Sequence, residues 1–167
     1  MIWVSIMFRR IKAKPTTQQH VCEKWEYYLI KGNEYYFRGQ YQASAYCYSV
    51  SAEYLEVIVS NKTLAECCEA CAEDRCFQHY FIACQNTSHA YAMAGELEKA
   101  EAYLSRAHFK FLALVSDSVR GTDSWQEKIR SISEKSLDAL VQFLERHNRV
   151  SAADSVMMES RRLLGDL

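Results

Sequence analysis

The feature that most constrains this chain is a helix–turn–helix pattern that occurs three times. Aligned on the turn, Gly39, Gly95 and Asn148 coincide. Tyr41, Leu97 and Val150 follow two residues later, then Ser44, Ala100 and Ala153 at five and Tyr48, Leu104 and Met157 at nine. Tyr35, Tyr91 and Leu144 match before the turn. The residue that closes a helix often takes the left-handed conformation, which Gly adopts freely and Asn nearly so. A small residue shortly after the turn lets two helices approach closely. The large apolar residues at the other matched positions are expected to fill the seam. One such hairpin cannot bury its apolar face alone, so the three are expected to stack.

The intervening sequence fits helices throughout. Pro15 separates residues 1–15, read as an extension ahead of the domain that is disordered or a short surface helix, from a single domain over 16–167. A first helix is predicted over 18–38, where Val21, Trp25, Tyr28, Leu29, Tyr35 and Tyr36 recur at helical spacing. A second is predicted over 41–59. Thr63-Leu64-Ala65-Glu66 is a capping box, in which the Thr hydroxyl and Glu carboxylate satisfy free backbone amides. It opens a third helix to Ala94, with a kink or break near Asp74. A fourth runs over 96–117, and Ser124-Trp125-Gln126-Glu127 caps a fifth that ends at His147. A sixth begins at Ser151 and ends by Gly165. No stretch alternates with the two-residue period of a sheet. The expected fold class is all-α, with about six helices in three antiparallel hairpins.

This pattern resembles the tetratricopeptide repeat (TPR). The first hairpin carries Tyr28, Gly32, Tyr35, Gly39, Tyr41, Ser44, Tyr48 and Ser51 at that family's motif positions. The second carries Tyr91, Gly95, Leu97, Ala100, Leu104 and Ala107, with Ser88 in place of the first Gly. The third carries Leu137, Leu144, Asn148, Val150, Ala153, Met157 and Ser160. The turns are 56 and 53 residues apart, whereas a standard repeat has about 34 residues. The helices here are therefore longer, or extra turns join the hairpins. The resemblance implies a TPR-like α-solenoid or superhelix whose concave groove binds a protein or peptide. It places Leu29, Asn33, Tyr36 and Phe37 on that groove from the first hairpin, with Gln85, His89 and Met93 from the second. Glu26, Ile82, Ala92, Lys135, Asp138, Gln142, Glu145 and Arg146 occupy the family's remaining groove positions. One TPR subclass clamps a carboxylate with Lys and Asn. Asn33 matches one of those positions, but Leu29 stands where the Lys is needed.

The expected function is a non-catalytic scaffold or adaptor. The chain has no Gly-rich phosphate loop and no H-E-x-x-H, and its five His are scattered, so an enzyme reading has nothing to rest on and no cofactor is expected. A net charge of −1 argues against general nucleic-acid binding. The apolar opening at residues 1–8 is followed, not preceded, by Arg9, Arg10, Lys12 and Lys14. That order is wrong for a secretory signal, and eight residues cannot span a bilayer, which needs about 20. The seven Cys are therefore read as free thiols in a reducing, cytoplasmic setting. Cys67, Cys68, Cys71, Cys76 and Cys84, with His79 nearby, form the densest group. One C-x-x-C pair on a helix is most simply core packing, and a metal- or thiol-dependent protein is the alternative. A third reading is a homodimer through the apolar residues of the short last helix.

Overall fold

The computed structural model of the chain describes residues 17–60, 75–117 and 123–164, and these form six α-helices with no strand among them. They are α1 (Thr17–Phe37), α2 (Tyr41–Ser60), α3 (Arg75–Met93), α4 (Leu97–Asp117), α5 (Asp123–Arg146) and α6 (Val150–Leu164). The expected boundaries at the three repeated turns hold to within one residue. The Thr63 capping box and the break near Asp74 lie outside the described residues. The side chains of Ser124 and Trp125 in the second capping box do as well.

All three turns close in the same way. Gly39, Gly95 and Asn148 have φ of 71°, 82° and 58°. In the first, the Gln40 amide donates to the Tyr35 carbonyl at 3.0 Å and the Gly39 amide to the Tyr36 carbonyl at 2.9 Å. Glu96 and Gly95 bond Tyr91 and Ala92 in the same pattern, and Arg149 and Asn148 bond Leu144 and Glu145. This paired closure satisfies carbonyls that a helix end leaves open, and it requires a left-handed residue at its centre. The next carbonyl at once accepts the first bond of the following helix: Ser44 to Gln40, Ala100 to Glu96 and Ala153 to Arg149. A single residue thus ends one helix and begins the next.

Consecutive helices pack on one another, with α3 also against α5 and α4 against α6. The aligned small residues Ser44, Ala100 and Ala153 are all buried, as close approach requires. The expectation for the position two after the turn is corrected. Tyr41 is half-buried, but Leu97 and Val150 are 41% and 57% exposed, because the first residue of each second helix stands at the turn edge, outside the seam.

One large core cluster draws on α1 to α5, with Trp25, Leu55, Tyr80, Phe111 and Ile129 among its most buried members. Phe111 meets Phe77, Tyr80 and Phe81 edge-on at 6.5, 5.7 and 6.3 Å between ring centres. That geometry sets the positive ring edge against the negative face. A smaller cluster joins Leu104, Leu140, Leu144 and Ala153 across α4, α5 and α6. Among the described residues, no helix is long and apolar enough to cross a membrane.

Candidate functional site

The first hairpin is closed by an exchange of volume. A Cβ on Gly32 would lie 2.4 Å from Tyr48 Cδ1, so the ring of α2 occupies the space a side chain on α1 would need. The Tyr48 hydroxyl then donates to Asn33 Oδ1 at 2.6 Å, and Ser44 Oγ donates to the Gly32 carbonyl at 2.8 Å. Burial pushes the Tyr48 phenol up to about 12. Asn33, one of the expected groove residues, is exposed, with its side-chain carbonyl oxygen held by Tyr48. Leu29 is half-buried and packs against two core clusters.

The structure brings Tyr36 of α1 and His89 of α3 together. The Tyr36 hydroxyl lies 2.6 Å from His89 Nε2, and the rings stack 5.5 Å apart at 28°. Burial raises the Tyr36 phenol and lowers the His89 imidazole, so each favours its neutral form. In that state the phenol donates and Nε2 accepts, so Nδ1 carries the ring's proton. Phe37, edge-on to Tyr36 at 6.5 Å between ring centres, is 62% exposed, and Met93, one helical turn beyond His89, is 47% exposed. They occupy equivalent positions of the first and second hairpins, 56 residues apart. Tyr41 stands edge-on to Tyr36 at 5.3 Å, and Gln42 Nε2 reaches Glu96 Oε1 at 3.5 Å, so the first two turns lie side by side. Gln85 is half-buried on α3.

Further grooves among the described residues lie beyond this face. One of about 390 Å³ runs between α3 and α5 and is lined by Phe77, Gln78, Ser131, Ile132 and Lys135, among others. Another, of about 600 Å³, is bounded by Leu97, Glu101, Phe143, His147 and Arg149, with Arg149 ion-paired to Glu101.

Of the cysteine group, Cys67, Cys68 and Cys71 lie outside the described residues. Cys76 and Cys84 are buried in the core. Burial pushes the Cys84 thiol up to about 12, away from the thiolate that metal binding or nucleophilic attack needs. His79 packs its ring 4.9 Å from that of Trp25. Among the described residues, no three His, Cys, Asp or Glu side chains are grouped to hold a metal ion.

Sequence reasoning missed two polar clusters between helices. Glu56 of α2 meets Arg106 of α4 at 2.5 Å and Lys110 at 3.9 Å. His108, fully buried on α4, lies between Ser136 of α5 and Ser160 of α6. Its signal was its position in the apolar stripe of Leu104, Ala107, Phe111 and Leu112.

The family model described as Protein of unknown function (DUF2753) matches residues 23–163. No curated protein and no solved structure matches the chain.

Proposed function

We propose that this chain, which belongs to the DUF2753 family, is a non-catalytic scaffold that holds a protein or peptide segment on the face shared by α1 and α3. In this reading the three hairpins form a TPR-like stack, working in the reducing, cytoplasmic setting expected from the thiols. The observation that carries the reading is the exposure of Phe37, beside Tyr36, and of Met93, one helical turn beyond His89, next to the Tyr36–His89 pair. Large exposed apolar side chains beside oriented hydrogen-bonding groups are the combination that protein-binding surfaces use. The partner would place an apolar anchor against Phe37 and Met93 and a hydrogen-bond acceptor toward His89 Nδ1.

Photo-crosslinking tests it. A benzophenone side chain placed at position 37 or 93 in the full chain should capture the same protein from native extract. Adding Met93→Asp to the position-37 probe should abolish that product. A probe at Tyr46, which is 63% exposed on α2, should not yield it. Identical products from positions 37 and 46, or none from 37 and 93, would overturn the proposal.

A further inference from the structure

Three helices meet on His108. Its Nδ1 lies 3.1 Å from Ser136 Oγ of α5, and its Nε2 lies 2.7 Å from Ser160 Oγ of α6. Both hydroxyls are also placed to donate within their own helices, Ser136 to the Ser133 carbonyl and Ser160 to the Val156 carbonyl, each at 2.7 Å. A hydroxyl has one hydrogen. If both serines donate to carbonyls, both can only accept from the ring, and both ring nitrogens must then carry protons. Only the imidazolium has two. With a neutral ring one serine must turn its hydrogen inward; the ring also donates to the Ser133 carbonyl beside Ser136, so Ser160, at 2.7 Å from Nε2, is the natural one to do so. The arrangement therefore differs by one hydrogen between the two states of His108.

Burial opposes the cation. Among the described residues, no ionised side chain accompanies the ring on the helices that enclose it. Lys110 on α4 is directed to Glu56, and Glu134 and Lys135 on α5 and Glu159 and Arg161 on α6 are exposed. Desolvation accordingly holds the imidazole down to about 4. Besides Ser160, the helix it secures buries Ala153 fully and packs only Ala152 and Val156 partly against Leu104, Leu140 and Leu144.

We propose that His108 is a proton-operated latch for α6: neutral, it ties α6 to α4 and α5 through Ser160 and Ser136, and protonated, it becomes a buried cation without counter-charge that is relieved when α6 undocks. An undocked, hydrated ring has an ordinary value of about 6.5, whereas the docked ring lies near 4. Docking is therefore strongest above 6.5 and weakens as pH falls from there toward 4. Between pH 7.5 and 5, linkage predicts an increase of about 30-fold in the undocked fraction.

Hydrogen exchange of the full chain, read by mass spectrometry and corrected for the intrinsic pH dependence of exchange, tests this. Peptides from α6 should lose protection by about 30-fold from pH 7.5 to 5, while those from α2 change little. His108→Gln, which cannot titrate, should abolish the acid response. Ser160→Ala should start from lower protection at pH 7.5 and keep the response. In the unmodified protein, the ¹³C signal of the His108 ring should report a neutral imidazole down to below pH 5. An equal acid response in His108→Gln would overturn the latch. So would α6 protection that holds or rises in acid, or a ring that titrates at 6.5 or above.

Discussion

The first and third hairpins close the same turn over seams of opposite chemistry. Between α1 and α2 the fit is one of shape, with Gly32 giving up its side chain to the Tyr48 ring. Where α4, α5 and α6 meet, the fit is one of hydrogen count, set by His108, Ser136 and Ser160. A shape fit has one solution at every pH, and the Tyr48 phenol, pushed up to about 12, stays neutral throughout. A fit that depends on a buried imidazole changes with one proton. Hairpins closed by the same turn thus carry a seam that acid leaves alone and a seam that acid can open.

The largest effect should come from breaking the shape fit. Gly→Ala inside a helix ordinarily stabilises by about 1 kcal/mol. At Gly32 the new Cβ would sit 2.4 Å from Tyr48 Cδ1, on a ring anchored at its far end by Asn33. Overpacking of this kind should reverse the sign and cost about 3 kcal/mol, read as a lower midpoint in urea with an unchanged slope. Adding Tyr48→Leu should recover at least half of the loss. The second hairpin already carries that combination, with Ser88 and Leu104 at the equivalent positions. A Gly32→Ala variant as stable as the parent would show that the ring can move aside, and the contrast between the seams would weaken.

The turns were legible because their chemistry is local. Few residues besides Gly and Asn tolerate a left-handed helix end, so Gly39, Gly95 and Asn148 placed the helix pairs to within a residue. The candidate face was legible in part. Alignment on the repeat put Tyr36 and His89 on one side of the chain, and the fold joins them directly. The same alignment treated Leu29 as an equal, but a repeat template does not say which members of a stripe a neighbouring helix covers. Leu29 turns into the core. His108 went unread for a related reason. Its partners come from 28 and 52 residues away, a distance over which spacing carries no information. The serines looked like the small residues that close packing needs, which they also are.

Smaller effects sharpen the comparison at the turns themselves. A Cβ at Gly39 or Gly95 meets nothing within 4 Å, so substitution there tests backbone conformation without a clash. Gly39→Ala and Gly95→Ala should each cost about 1 kcal/mol in thermal or urea unfolding.

Asn148 is the natural counterpart, a residue with a side chain held at φ 58°. Its short amide tolerates this conformation better than Ala, but at more cost than Gly. Asn148→Gly removes that cost and adds backbone freedom to the unfolded chain, which opposes it. The balance should be a gain of about 0.5 kcal/mol. The useful readout is where the gain appears. If α6 is a separately opening unit, its hydrogen-exchange protection at pH 5 should rise with Asn148→Gly while that of α1 and α2 stays fixed. A gain spread evenly over all six helices would mean that the third hairpin opens only with the whole molecule. The difference between the two seams would then be one of chemistry without a difference in local stability.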